Sequence, residues 1–392
     1  MPPGRGVAVV LLPLCLVACD REALPLEPCD APAALDAPPP DALDLLFMVD
    51  NSNCTTREQA KLAEAMPELL RTLLSGEILD AEGNPTRAFP ALRSVRIGFI
   101  SSDMGAGGNA VPTCREPFGD DGRFVTFPPS SALGCREDPP LFLELTREPG
   151  VSDEEWALQV EDLAFDAFCM TEIGTDGCGF EQPLEAILKA LTPEESPLRF
   201  QGGTRGQGDA NRVEGRDPAR FLRPDSVLAV VAMTDEDDCS VAEPELLDPS
   251  SERYVGDLNL RCFNYPEALH PVERYVDGLL ALRPPERLVY ATIAGVPARL
   301  GGADASAILA HPEMQEVVDE DDPTRLRTSC NPPGHGPSFP PRRMVSLAGA
   351  LEARGAHVAI GSHCQEDFQP AIAPMLSAIA DALEDQPEPA CP

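Results

Sequence analysis

Five short, predominantly apolar runs constrain this chain more than any other feature: residues 43–49, 95–100, 227–233, 288–293 and 358–360. A strand that is apolar on successive residues has no face left for water, so it needs cover above and below. The cover lies between the runs. Leu62, Met66, Leu69, Leu70 and Leu73 recur at helical period, as do Trp156, Val160, Leu163 and Ala167, then Phe180, Leu184, Ile187 and Leu191. Further helical stretches fall at 272–282 and 344–353, and a last one carries Phe368, Ile372, Met375, Ile379 and Leu383. Strands alternating with amphipathic helices predict an α/β fold, a doubly wound and mostly parallel sheet covered on both faces. No internal repeat is visible, so residues 43–385 read as one core. Gly-, Pro-, Asp- and Arg-rich insertions occupy about 106–150 and 196–223, and 386–392 form a tail. Thr55-Thr-Arg-Glu58 has the spacing of a capping box, Ser152 caps the next helix, and Pro67 predicts a kink or break in the first helix.

The chain carries 65 acidic and 30 basic residues among 392, a net charge of −35. Such a surface repels phosphate backbones and anionic bilayers, which excludes nucleic acid and charge-driven membrane docking. Only Lys61 and Lys189 are lysines, a bias read as genomic base composition. The N-terminus reads as an export signal over 1–18: one positive charge at Arg5, then an apolar run from Val7 to Ala18 too short to span a bilayer. Leu16-Val-Ala-Cys19 resembles the lipobox of bacterial lipoproteins, which implies acylation of Cys19 and a cell-envelope location, periplasmic or surface. Residues 19–42 hold six prolines and read as a tether, so the lipid is the expected membrane contact.

In an open doubly wound sheet, ligands bind beyond the carboxyl ends of the strands, where the strand order reverses. That rule selects the loops after Val49, Ile100 and Thr234. The first reads Asp50-Asn-Ser52-Asn-Cys54 and the last opens on Asp235. With "LDLLFMVDNSNCTTREQAKLAEAM", "VRIGFISSDMG", "GTDGCGFEQPLEAILKAL" and "LAVVAMTDEDDCS" in that order, the chain resembles the von Willebrand factor A domain over about residues 43–385, and within it the secreted Cys-rich bacterial lipoprotein group. The resemblance implies a metal-ion-dependent adhesion site with Asp50, Ser52 and Asp235 as metal residues and Mg²⁺ or another divalent cation as cofactor. Oxygen ligands with retained waters suit such an ion. The chain departs from the family pattern twice: Cys54 replaces the second Ser, and Cys178 falls at the Thr position, with Thr175 nearby. A thiol is a poor ligand for a hard cation, so the site reads as degenerate. Without an ion, Asp50 and Asp235 would order their loops as turn formers.

Eleven of the 13 cysteines remain once Cys15 leaves with the signal and Cys19 takes the lipid. In an oxidising compartment most pair. Proximity suggests Cys114 with Cys135, Cys169 with Cys178, Cys239 with Cys262, and Cys330 with Cys364. A Cys29–Cys54 bond would remove the thiol from the site and leave Cys391 over; a Cys29–Cys391 bridge is the competing arrangement. The histidines (270, 311, 335, 357 and 363) lack metal-ligand spacing, apart from His363 beside Cys364, and no Cys-x-x-Cys occurs. His357 reads as a core residue, and Cys364 as a disulfide partner before a nucleophile. Of two acidic runs, 319–322 reads as a solvated loop, while 235–238 stands at the functional end of the sheet.

The expected function is a binding module, not an enzyme: an envelope lipoprotein whose carboxyl-end loops bind an envelope or extracellular protein or glycan. The alternatives are a structural envelope lipoprotein with no metal, and an extracytoplasmic hydrolase using the inserted loops, for which no nucleophile, base and orienter stand out.

Overall fold

The computed structural model describes residues 41–80, 83–126, 134–207, 217–332 and 336–384. The signal segment, Cys19, Cys29, the tether up to residue 40, His335 and the 386–392 tail with Cys391 lie outside them. In chain order the principal elements are β1 (Ala42–Val49), α1 (Thr56–Ser75), β2 (Glu77–Leu79), β3 (Pro85–Ala88), β4 (Ser94–Ser101), β5 (Leu143–Thr146), α2 (Asp153–Thr171), α3 (Pro183–Leu191) and β6 (Val227–Met233). Then follow α4 (Arg261–Asn264), α5 (Glu273–Leu282), β7 (Leu288–Ala294), α6 (Ala305–Ala310), α7 (Arg342–Glu352), β8 (His357–Ser362) and α8 (Gln369–Glu384).

Six strands form one sheet in the order β5-β4-β1-β6-β7-β8, and β2 pairs with β3 in a separate hairpin. All main-sheet pairs are parallel except β4 with β5 at the edge. The fold class is therefore the one the apolar runs predict. Successive residues of β1 alternate between two cores, as a pleated strand requires. Leu45, Phe47 and Val49 join the layer carrying Leu69, Trp156 and Met375, while Leu46 and Met48 join Ile187, Val276 and Leu347. Helices α1, α2 and α8 thus cover one face, and α3, α5 and α7 the other.

Strand order reverses around β1, whose neighbours are β4 and β6. The register sets Val49 opposite both Ser101 and Met233. The next residues along, Asp50, Ser102 and Thr234, consequently emerge together at the carboxyl end.

Several local expectations need revision. β5 and the β2–β3 hairpin were not foreseen, being short strands in polar or Pro-rich surroundings. Helix α1 runs unbroken through Pro67. Thr55 does not cap it with its side chain; its hydroxyl donates instead to the carbonyls of Asp50 (2.9 Å) and Ser52 (3.0 Å). Ser152 does cap α2, accepting from Glu155 N at 3.2 Å.

Two disulfides form as expected, Cys239–Cys262 and Cys330–Cys364, and two expected pairs are wrong. Cys114 bonds Cys178 rather than Cys135, and Cys135 bonds Cys169 rather than Cys178. Proximity in sequence failed because the insertion folds back over the sheet. Its first part lies on the segment before α3, where Gly179 N donates to Thr113 O at 3.2 Å. Its later part lies on the end of α2, where Arg136 Nε donates to Asp166 at 3.1 Å.

Candidate functional site at the carboxyl end of the sheet

Asp50 is fully buried and every oxygen it owns is engaged. Its Oδ1 accepts from Ser52 N (2.8 Å) and Ser102 Oγ (3.4 Å), and its Oδ2 accepts from Thr234 Oγ1 (2.7 Å). Its carbonyl accepts from Thr55 and from Gln59 Nε2 at 2.7 Å. A carboxylate bonding the N–H two residues on makes a local turn, which is why an Asp-x-Ser sequence bends here. Gln59 reaches further, donating to Gly174 O at 2.7 Å, so α1, the β1 loop and the segment before α3 are tied together.

Asp235 faces this arrangement from the β6 loop, with its backbone N–H directed at the Asp50 carboxylate. It is 4 % exposed, and its Oδ1 has no hydrogen-bond partner. Glu181 and Glu236 complete the group, hydrogen-bonded to one another. Among the described residues none of the four carboxyls pairs with a Lys or Arg. Burial, followed by the Asp50 charge, raises Glu236 to about 7 and holds Asp235 well above its ordinary range. Burial and then the Glu236 charge raise Glu181 well up, and burial raises Asp50. Carboxyls this close lose their protons as a group.

The acidic run 235–238 divides in two. Asp238 Oδ1 accepts from Leu184 N (3.0 Å) at the start of α3, and its Oδ2 takes Arg343 Nε (3.0 Å). Asp237 accepts from Arg343 N at 2.9 Å at the start of α7, and burial lifts it to about 8. These two hold helices in place and, with Asp235, Glu236, Ser52, Cys54 and Glu181, line a cavity of about 350 Å³. The other acidic run, 319–322, is self-contained: Asp319 accepts from Asp321 N (3.0 Å), and Arg325 pairs with Asp319 and Asp322.

A segment from the loop before α7 borders the cavity. Phe339 N donates to Asp235 O at 2.8 Å, and a Cβ on Gly336 would lie 3.2 Å from Cys54 Cβ and 3.8 Å from Asp235 Oδ2. The Cys330–Cys364 disulfide ties this segment to the end of β8, and Ser338 Oγ lies 3.2 Å from His363 Nδ1, both groups buried. Cys364, being bonded, is no nucleophile. His357 is half-buried in β8.

The structure brings Asp50, Ser52 and Asp235 together at the carboxyl end of the sheet. Among the described residues Cys54 is an exposed free thiol, and burial followed by the Asp235 charge pushes it up; Cys29, its alternative partner, lies outside them. Cys178 is consumed by its bond to Cys114 and offers no ligand. Thr234, Ser102 and Glu181 were not foreseen. Glu181 left one signal: a carboxylate inside a segment whose neighbours Phe180 and Leu184 belong to the core.

The residues suit a hard divalent cation. Asp235 Oδ1 is a buried oxygen without a partner, and the surrounding carboxyls lack a counter-charge. No three His, Cys, Asp or Glu side chains among the described residues form a ready cage, so hydroxyls and water would fill out the shell around Asp50, Ser52 and Asp235.

No protein-family model matches this chain, and no curated protein matches it either.

Proposed function

We propose that this chain is an exported, lipid-anchored envelope protein whose body is a von Willebrand factor A-type binding domain. Asp50, Ser52 and Asp235 hold Mg²⁺ or another divalent cation, and the loops around them bind a protein or glycan of the envelope or extracellular space. One observation carries this reading: Asp235 Oδ1, buried and without a partner, sits among unneutralised carboxyls at the strand-order reversal. The strand order supports it, since ligands of such sheets bind at that place. When bound, the cation supplies positive charge to carboxyls that otherwise keep protons and a coordination position for an oxygen ligand. The chain's own residues set the rest. Thr234 and Ser102 hold the Asp50 carboxylate, Gln59 and Thr55 fix the loop carrying Ser52, and Phe339 fixes the Asp235 backbone. The apolar run before Cys19 supports the anchor.

Isothermal titration of the chelator-treated mature chain with Mg²⁺, Mn²⁺ and Ca²⁺ tests the ion. Heat of binding is expected in the wild type and its loss in Asp50→Ala and Asp235→Ala variants that remain folded. No heat at millimolar ion from folded wild type overturns the cation and leaves a structural envelope lipoprotein. A pull-down from envelope extract with and without chelator then tests whether partner capture depends on the ion.

A further inference from the structure

The cavity lining divides about evenly between polar and apolar side chains. Its polar side chains include six carboxyl groups, those of Glu181, Asp235, Glu236, Asp237, Asp238 and Glu316, and two guanidiniums, Arg325 and Arg343; Glu316 also pairs with Arg342 at 3.6 Å. Both guanidiniums are already committed. Arg343 pairs with Asp238 and donates to His270 O at 2.7 Å, and Arg325 pairs with Asp319 and Asp322 outside the cavity. The other half is apolar, with Phe180, Phe263, Leu269, Leu326 and Phe339. These side chains cannot ligate a metal ion or hold its waters. A divalent ion alone thus accounts for the polar lining only and leaves the apolar side chains without an occupant.

We propose that the cavity receives a basic side chain of a partner protein, its guanidinium or ammonium among Asp235, Glu236 and Glu181 and its hydrocarbon stem against the apolar half. Lys and Arg have this build, an apolar stem ending in a cation, and gain where a stem is covered while the head meets carboxylates. The aromatic rings add a second source of attraction for the cation. A volume of about 350 Å³ is at the scale of one such side chain with its water, not of a folded surface. Asp235 Oδ1 is an acceptor left without a donor, and where no ion takes that oxygen an N–H from the partner supplies one. The inference rests on this cavity being the binding site of the proposed function, and the partner's group is cationic with or without a metal ion present.

Cys54 gives a local readout, since its thiol is free and lines the same cavity. The probes are N-acetyl-arginine N-methylamide and its neutral isostere N-acetyl-citrulline N-methylamide, each at millimolar concentration with the mature chain. The alkylation rate of Cys54 is read by peptide mass spectrometry, in chelator and again in Mg²⁺. The arginine probe is expected to bind about tenfold more tightly than the citrulline probe, the factor one charged hydrogen bond supplies, and to protect Cys54 accordingly. Glu236→Gln is expected to abolish the difference. Glu181→Gln, checked for folding by circular dichroism, is expected to reduce it. Equal protection by the two probes in wild type overturns the inference, whether or not titration shows a metal ion binding. Discrimination in a chain that binds no divalent ion upholds the inference and retires the ion.

Discussion

Thr234 Oγ1 donates to Asp50 Oδ2 at 2.7 Å, joining the carboxyl ends of β6 and β1 across 184 residues of chain. Both groups are fully buried. Thr234→Val keeps the shape and strands the carboxylate oxygen, at a cost of about 1.5–3 kcal/mol, the range for a bond to a charged acceptor. Thr234→Ser keeps the donor and should stay within about 1 kcal/mol of wild type. Urea midpoints of the three chains check this. A Val variant as stable as wild type would show that Asp50 draws its support elsewhere.

At the opposite end of the sheet, Asp44 is wholly buried in β1 and held by Arg223. The guanidinium Nε and the backbone N of Arg223 both donate to it at 2.7 Å, and Ser226 Oγ donates at 2.5 Å. Arg283 stands 3.6 Å away. Asp44→Ala leaves buried guanidiniums without their anion and should cost about 3–5 kcal/mol, as breaking a buried pair does. Asp44→Leu should be no better, because the arginines remain. Denaturation of the two variants measures it, and a loss under about 1 kcal/mol would place the pair in an exposed, screened setting instead.

Why the two ends differed in legibility follows from range. Leu45, Phe47 and Val49 announce a buried strand because the pattern is local, and Asp50, Ser52 and Asp235 follow from it by the switch-point rule. Asp44 interrupts that same strand, and nothing beside it names Arg223, 179 residues away, as its partner. Thr234 and Glu181 gain meaning only when β6 and the segment before α3 arrive at Asp50, a consequence of packing. β5 is only four residues in a Pro-rich insertion, too short for alternation to register, yet it closes the sheet edge beside β4.

Asp103, on the loop after β4, has a carboxyl raised from 3.8 to about 6, chiefly by burial. The folded chain therefore holds this proton more tightly than the unfolded chain. Its contribution is fully present below pH 4 and is lost as pH rises through about 6. A shift of about 2 pH units corresponds to at most about 3 kcal/mol. Asp103→Asn keeps an oxygen for Gly105 N, which donates to Asp103 at 2.8 Å, and removes the titration. Its stability relative to wild type should therefore rise between pH 4 and pH 7. Urea midpoints in chelator at several pH values check this, and a difference flat with pH would refute it.

The disulfides offer the sharpest check on the insertion. Cys114–Cys178 closes a separation of 64 residues and Cys135–Cys169 one of 34. Non-reducing peptide mapping should recover these two pairs and none of the sequence-proximate ones, Cys114–Cys135 or Cys169–Cys178. Chain entropy assigns roughly 4 kcal/mol to each, and the logarithm makes the longer loop worth only a few tenths more. Consequences for the site differ much more. Cys178 neighbours Gly177, whose N donates to Asn51 O at 2.9 Å in the Asp50 loop, whereas Cys169 lies in α2 and its bond to Cys135 sits beside Leu143 of the edge strand β5. Cys114→Ala/Cys178→Ala should therefore weaken cation binding measured by titration, while Cys135→Ala/Cys169→Ala lowers stability by a similar amount and leaves the binding heat intact. Equal losses of binding in both variants would mean that the insertion supports the site only through global stability.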